Sequence, residues 1–256
     1  MSDELPPTPT LVAPWFRLGY VIPHLTTDMD GYLFARVAPV GAMLVTTNLD
    51  LADYSLEAVE RELPTFRERT DLLGRKGVDE IALSGVPIAA SLGRQRMLEL
   101  LDEVSQRTGR PASTDLENHI AALMALGAER VAIGSRWPDA VVEALTRYLA
   151  LAGVEVVGVR ARSHALSTLK GSDPMADHDL ALELGREVLR ATPTAQALML
   201  PGGLWFALYA APILETEFGL PVTLNITATL WAALRRRGEP LPYRPDPAWG
   251  RLLASL

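Results

Sequence analysis

The chain has 256 residues, of which 48% are hydrophobic and 21% are charged, a composition that is typical of globular proteins and excludes a disordered, collagen-like or coiled-coil chain. Asp and Glu number 31 against 24 Lys and Arg, for a formal charge of −7, and because Lys and Arg form no cluster we expect no nucleic-acid-binding surface. The chain has no cysteine, which excludes disulfides, thiolate nucleophiles and iron–sulfur clusters.

Short β-type runs alternate with longer helical runs along the whole chain. In chain order the predicted elements are strands at 18–23 and 40–48, a helix at 55–73, a strand at 81–84, helices at 91–108 and 113–126, a strand at 130–134, a helix at 138–152, a strand at 154–159, a helix at 174–191, a strand at 197–200, a helix at 205–218, a strand at 221–224 and a helix at 225–237. Ser55 is a suitable N-cap for the first of these helices. This alternation predicts βαβ units and mainly parallel sheets.

The strand–helix pattern occurs twice, which predicts an α/β protein with two pseudo-symmetric, doubly wound domains. We place residues 15–111 and 219–256 in the first domain, because the final strand and helix are expected to return to it, and residues 112–218 in the second. The two parallel sheets are expected to centre on strands 18–23 and 81–84, and on strands 131–134 and 197–200.

Ligands of such folds bind beyond the carboxyl ends of the strands. Ser84 and Gly85 follow one strand, where they offer a hydroxyl and an open backbone or form only a tight turn. Gly202 and Gly203 follow another strand and precede a predicted helix, so their N–H groups can hold a carboxylate at a helix N-terminus. A simple turn is the alternative reading of this pair as well.

Two further strand ends carry polar or aromatic side chains. His24 and Thr26 follow the first predicted strand, in a polar segment that is either part of a site or a solvated loop. Trp137 either walls a pocket or only packs in the core. Asp115 and His119 are spaced four residues apart on a helix, which favours a solvated surface pair over an acid–base group.

The sequence carries no signature of a cofactor, metal or membrane segment. We find no glycine-rich dinucleotide motif and no P-loop, and the four histidines are too scattered to suggest a metal site. Lys170 and Gly171 lie in a polar stretch that either closes over an anion or is a plain surface loop. The acidic, proline-rich start is unlike a signal peptide, and the longest apolar runs are shorter than the about 20 residues that span a bilayer. We expect a cytoplasmic protein that uses no cofactor.

Three segments resemble those of a known group of enzymes: STDLENHIAALMALGAERVAIGS (113–135), ALMLPGGLWFAL (197–208) and GLPVTLNITATLWAALRRRG (219–238). They are similar to segments of arylmalonate decarboxylase-like and maleate isomerase-like proteins, a branch of the aspartate/glutamate racemase superfamily. The resemblance covers most of the chain from Arg17 to Gly238. It implies a site in the cleft between two α/β domains and a small acid as substrate.

The resemblance also implies where this chain departs from the superfamily. The first of the catalytic cysteines of the superfamily falls at Ser84 or Gly85, and the second falls at Pro201, so neither position carries a thiol. Racemisation by two thiols, thiolate addition to a double bond and reprotonation by a thiol are therefore excluded. Decarboxylase-like or lyase chemistry with another acid remains open, as does a hydrolytic or hydration step with His24 or Asp28 as base.

The leading hypothesis is a cofactor-independent lyase or isomerase that acts on a small carboxylic or dicarboxylic acid. His24 and Ser84 are the candidate catalytic residues. The candidate substrate-binding residues are Thr26, Gly85, Trp137, Gly202 and Gly203. The alternative is a non-catalytic or regulatory protein that binds a small carboxylate. An enzyme should carry a titratable group in the cleft, whereas a binding protein needs only anion donors and apolar walls. A homo-oligomer is compatible with either.

Overall fold

The structure is a computed structural model that describes residues 14–25, 28–164, 173–238 and 240–256. Three residues singled out above, Thr26, Lys170 and Gly171, lie outside the described residues. The predictions made for them stay predictions.

Eight strands of the described chain form two four-stranded parallel sheets. The strands are β1 (Phe16–Ile22), β2 (Ala42–Asn48), β3 (Glu80–Leu83), β4 (Ala112–Thr114), β5 (Arg130–Ser135), β6 (Glu155–Ala161), β7 (Ala197–Leu200) and β8 (Val222–Leu224). The strand orders are β2-β1-β3-β4 and β6-β5-β7-β8, and every pair is parallel. The same order in both halves confirms the predicted α/β fold with two similar parallel sheets.

Helices connect the strands and cover the sheets. They are α1 (Asp28–Val37), α2 (Leu56–Arg75), α3 (Val86–Leu92), α4 (Arg94–Thr108), α5 (Asp115–Ala125), α6 (Asp139–Ala150), α7 (Pro174–Ala191), α8 (Ala210–Phe218), α9 (Asn225–Arg237) and α10 (Arg251–Ala254). The predicted cap of α2 is confirmed, because Ser55 Oγ accepts a hydrogen bond from the Ala58 N–H at 3.1 Å. No helix of the described residues is long and apolar enough to cross a membrane.

Strand membership differs from the predicted division of the chain at two places. β4 was assigned with the second half, but it pairs with β3 in the first sheet. β8 was expected to return to the first half, but it pairs with β7 in the second sheet. The helix after β8 does cross over, since α9 packs against α5 and α1, and Arg236 Nε donates to Glu80 Oε2 of β3 at 3.0 Å. The domain limits themselves stay a prediction.

Two apolar cores hold the halves together, and each core draws residues from both sheets. In the first core α3 packs against α6, so that Val86 and Ile88 share a core with Trp137. In the second core Tyr20 and Ile22 of β1 share a core with Leu198 and Leu200 of β7. Burial on this scale fixes the relative position of the two sheets, because packed cores tolerate little displacement.

Candidate functional site

A small cavity lies where the carboxyl ends of β1, β3, β5 and β7 face one another. The residues that line it are Ile22, Pro23, His24, Asp30, Tyr54, Ser84, Gly85, Val86, Pro87, Arg136, Trp137, Gly202, Gly203 and Leu204. Both halves of the chain contribute, and the cavity occupies the position that ligand sites take in parallel α/β sheets.

Two glycines form matching turns on opposite sides of this cavity. Gly85 follows β3 with φ +102°, and Gly202 follows β7 with φ +146°, a region that L residues with side chains rarely adopt. The Gly85 N–H donates to Asp115 Oδ2 at 3.0 Å, and the Gly202 N–H donates to Asn225 Oδ1 at 2.9 Å. Asp115 and Asn225 are the first residues of α5 and α9, so the two halves hold their glycine turns in the same way.

A direct hydrogen bond joins Asp115 and Asn225 across the boundary between the halves. Asn225 Nδ2 donates to Asp115 Oδ2 at 2.7 Å. The other oxygen of Asp115 accepts from the Tyr20 hydroxyl at 2.7 Å and from the Thr229 hydroxyl at 2.8 Å. The Asp115 carboxylate therefore accepts four hydrogen bonds with the side chain fully buried, which is how a protein accommodates a buried charge.

The prediction that Asp115 and His119 form a solvated surface pair is wrong, because both side chains are 0% exposed. The His119 ring lies 3.0 Å from Thr223 Oγ1 and 2.9 Å from Asn225 Oδ1. Burial lowers the pKa of His119 to about 4, so the ring is neutral at neutral pH. Asp115 and His119 do lie four residues apart on α5. The face of α5 that carries them packs against α9 rather than facing solvent.

Asp30 is a site residue that the sequence analysis missed. It lies in the first turns of α1, lines the cavity and is 2% exposed. A Cβ placed on Gly203 would lie 3.1 Å from Asp30 Oδ1 and 3.2 Å from Ser84 Oγ, which puts all three at one point of the cavity wall. Burial, reinforced by the charge of Asp115, holds the pKa of Asp30 well above its ordinary value.

Arg136 is the second missed residue and supplies a buried cation. Its Nη1 donates to Asp177 Oδ1 at 2.8 Å, its Nη2 donates to the Leu204 carbonyl, and its guanidinium lies over the Trp205 ring at 5.0 Å. These contacts use two of the five N–H groups that a guanidinium carries. Burial lowers the pKa of Arg136, and Asp177 opposes that shift.

The structure brings six of the seven predicted site residues to this cavity. They are His24, Ser84, Gly85, Trp137, Gly202 and Gly203. The Gly202 N–H is already bound to Asn225, so the predicted use of that amide for a substrate carboxylate is not supported. The Gly203 N–H donates to no residue of the described chain and remains a candidate donor.

The predicted helix N-terminus at these glycines is also wrong. α8 begins at Ala210 rather than at Trp205. The Trp205 indole donates to the Asp177 carbonyl at 2.9 Å, and the Ala207 N–H donates to the Trp205 carbonyl at 2.8 Å. These bonds hold the segment in turns, so α8 does not present its N-terminus to Gly203.

Comparison with known proteins identifies the family. The sequence profile of the arylmalonate decarboxylase family matches residues 39–252. The chain belongs to the arylmalonate decarboxylase family. The arylmalonate decarboxylase of Bordetella bronchiseptica is 26% identical over 239 residues, which are 92% of this chain and 95% of that protein.

Solved structures with the fold of this family include decarboxylases and isomerases. A liganded double mutant of arylmalonate decarboxylase superposes with a TM-score of 0.82 at 23% identity, over 93% of this chain and 98% of that one. The maleate isomerase of Pseudomonas putida with maleate gives 0.79 at 22% identity, over 93% and 97%. A maleate isomerase of Nocardia farcinica also gives a TM-score of 0.79, at 20% identity over 94% of this chain and 98% of that one. That structure carries a covalently bound succinylcysteine intermediate. A succinylcysteine cannot form in the present chain, which has no cysteine.

The side chains of the site are not arranged as a metal centre. No group of three or more His, Asp or Glu side chains in the described parts of the chain is placed to hold a metal ion. The titratable groups of the cavity lie on different elements, with Asp30 on α1, Arg136 directly after β5 and His24 directly after β1.

Proposed function

We propose that this protein is a cofactor-independent lyase or isomerase that acts on a small carboxylic or dicarboxylic acid in the cavity between the two sheets. The observation that carries the proposal is a buried carboxyl group and a buried guanidinium in one cavity, Asp30 and Arg136. A titratable group and a cation meet the two requirements of such chemistry, proton transfer and anion binding.

Carboxylate binding is assigned to Arg136 and to the Gly203 N–H. Hydrogen bonds between a guanidinium and a carboxylate are charge-assisted and are among the stronger ones in proteins. The Gly203 N–H adds a neutral donor close by, because Arg136 Nη2 donates to the carbonyl of the next residue, Leu204. Arg136 is buried, and burial strengthens electrostatic contacts.

The remaining walls of the cavity are apolar, and they favour the loss of a charged carboxylate from the substrate. Ile22, Val86, Trp137 and Leu204 line the cavity with apolar surface. A carboxylate pressed against such surface is poorly solvated, whereas neutral carbon dioxide is not. A dicarboxylic acid with one carboxylate on Arg136 and the other among these side chains is therefore driven toward decarboxylation. The relatives of this protein include one named arylmalonate decarboxylase.

A non-catalytic carboxylate-binding protein is the alternative that one observation favours. Pro201 stands where the resemblance places the second cysteine of the superfamily, and proline has neither a titratable side chain nor an N–H. If this position alone decided activity, the cavity would still bind a small acid but would not transform it.

Turnover of two acids distinguishes the proposals. We would incubate the protein with phenylmalonate and with maleate in D₂O and follow the products by proton NMR. We expect phenylacetate that carries solvent deuterium at the α-carbon, or fumarate from maleate. Saturable binding of these acids, seen as a thermal shift, with no product from either would instead support the binding protein.

Filling the cavity tests its location. Gly203→Val places methyl groups where Asp30 and Ser84 already leave little room, so we expect at least about a tenfold loss of affinity for malonate by calorimetry, which corresponds to about 1.4 kcal/mol. Gly31→Ala on α1 is the matched control, because an added Cβ there meets nothing within 4 Å. Unchanged malonate affinity in folded Gly203→Val would place the site elsewhere.

A further inference from the structure

We propose that Asp30, as a neutral carboxylic acid, is the group that delivers the proton to the α-carbon of the substrate, in the role that a cysteine thiol fills in the superfamily. This inference rests on the proposed function. Neither the family match nor the relatives assign a role to this residue, and it stands on α1, at neither of the two sequence positions that the resemblance gives for the cysteines.

The position of Asp30 is the first argument. Its side chain is buried yet lines the cavity, and it forms no hydrogen bond with any residue of the described chain. It lies against Gly203, the residue to which we assign one carboxylate contact, with Oδ1 3.1 Å from the site of a Cβ on that glycine. A substrate carboxylate bound at Gly203 would bring its α-carbon beside the Asp30 carboxyl.

The contrast with Asp115 is the second argument. Both carboxyls are buried, but Asp115 accepts four hydrogen bonds, whereas Asp30 accepts none from the part of the chain that the structure describes. Hydrogen bonds to a carboxylate favour its ionised form, whereas burial without donors favours the protonated form. Burial raises the pKa of both carboxyls, but hydrogen bonds oppose that shift at Asp115, whereas the Asp115 charge adds to it at Asp30. Where two interacting carboxyls share one proton, the negative charge is therefore placed on Asp115 and the proton on Asp30.

The other groups around Asp30 do not reverse this assignment. The titratable and charged groups that face it or share its cavity are Tyr20, His24, Tyr54, Asp115 and Arg136. Burial raises the pKa of Tyr20 well above its ordinary value and that of Tyr54 to about 12, so both are neutral. Arg136 is not among the causes of the raised pKa of Asp30, which are burial and the Asp115 charge.

The step balances without an added reagent. The bond between the α-carbon and the departing carboxylate breaks, carbon dioxide leaves, and the electron pair stays on the α-carbon, delocalised into the retained carboxylate. The O–H bond of Asp30 then breaks as a C–H bond forms at the α-carbon. Asp30 is left ionised and regains its proton from water when the product leaves.

Removal of the acidic proton is the direct test. With phenylmalonate as the probe, we expect Asp30→Asn to lower kcat by about 100-fold or more, the loss expected for a missing general acid, with KM within about threefold. Asp30→Glu should restore part of kcat. Asp139→Asn, at an exposed position of α6, is the matched control. Retention of kcat within tenfold in Asp30→Asn, or a comparable loss confined to His24→Asn, would overturn the proposal.

A second readout does not depend on turnover. In protein labelled with ¹³C at the aspartate carboxyls, the signal absent from Asp30→Asn identifies Asp30. We expect the shift of a protonated carboxyl at neutral pH and a change in that shift when malonate is added. An ionised Asp30 at neutral pH, or no response to bound malonate, overturns the proposal. If wild type turns over neither acid, the proposed function fails and proton delivery by Asp30 fails with it. If wild type turns over phenylmalonate but Asp30 is ionised at neutral pH, the proposed function stands and only the role of Asp30 is overturned.

Discussion

Asp30→Asn is expected to stabilise the protein relative to wild type by an amount that grows with pH. The pKa of Asp30 is raised in the folded state, by burial first and by Asp115 second, so the folded protein binds a proton that the unfolded chain releases. Its contribution to stability is fully present below the unfolded pKa of about 4 and is lost as the pH rises toward the folded pKa. Asparagine does not titrate and escapes this loss.

The expected slope is about 1.4 kcal/mol per pH unit, from about pH 4 up to the folded pKa of Asp30. It would be measured as the difference in free energy of unfolding between variant and wild type, from urea titrations at several pH values. The offset depends on how the buried amide is accommodated, so the slope is the test. Asp139→Asn, at an exposed position of α6, is the matched control. A difference that shrinks as the pH rises would mean that the pKa of Asp30 is depressed.

Asp115→Ala is expected to lower the free energy of unfolding by about 3–5 kcal/mol, the range for losing one partner of a buried charged network. The carboxylate accepts from the Gly85 N–H, the Asn225 amide and two hydroxyls. Its removal leaves these donors buried without an acceptor, and each such donor costs about 1–3 kcal/mol unless water replaces the lost oxygen.

The same urea titrations at neutral pH measure the Asp115→Ala effect. Glu143→Ala is the matched control, because Glu143 is exposed and its ion pair with Arg147 is 3.9 Å long. Exposed pairs of this kind contribute about 0–1 kcal/mol. A loss below 1 kcal/mol in Asp115→Ala would contradict the four-bond arrangement.

The regular part of the fold was predictable because its signals are local. Strands such as Ala197–Leu200 are continuous apolar runs, and Ser55 caps α2 through its own side chain. β4 escaped prediction because three residues carry no measurable periodicity. α3 escaped because its first residues, Val86 and Pro87, follow a glycine turn and look like a continuation of it.

The site was predictable where it depends on strand ends and was missed where it depends on tertiary packing. Ser84, Gly85 and Gly203 line the cavity because they follow strands, which the sequence indicates. Asp30 lies on α1, and the polar sequence after β1 gave no indication of that helix. Among the described residues Asp30 has no hydrogen-bonding partner, whereas the four partners of Asp115 include one that is 114 positions away, and no local pattern encodes that difference.

The hydrogen bond between Asn225 and Asp115 has a consequence for the symmetry of the molecule. Two aspartates at these matching positions would face each other as like charges, and two asparagines would leave the Tyr20 and Thr229 hydroxyls without a charged acceptor. The two halves therefore cannot carry the same residue at these matching positions. One half must contribute the carboxylate and the other the amide. A ligand between two nearly equivalent glycine turns thus meets one turn that is held by a carboxylate and another that is held by an amide, and this difference makes the two sides of the cleft inequivalent.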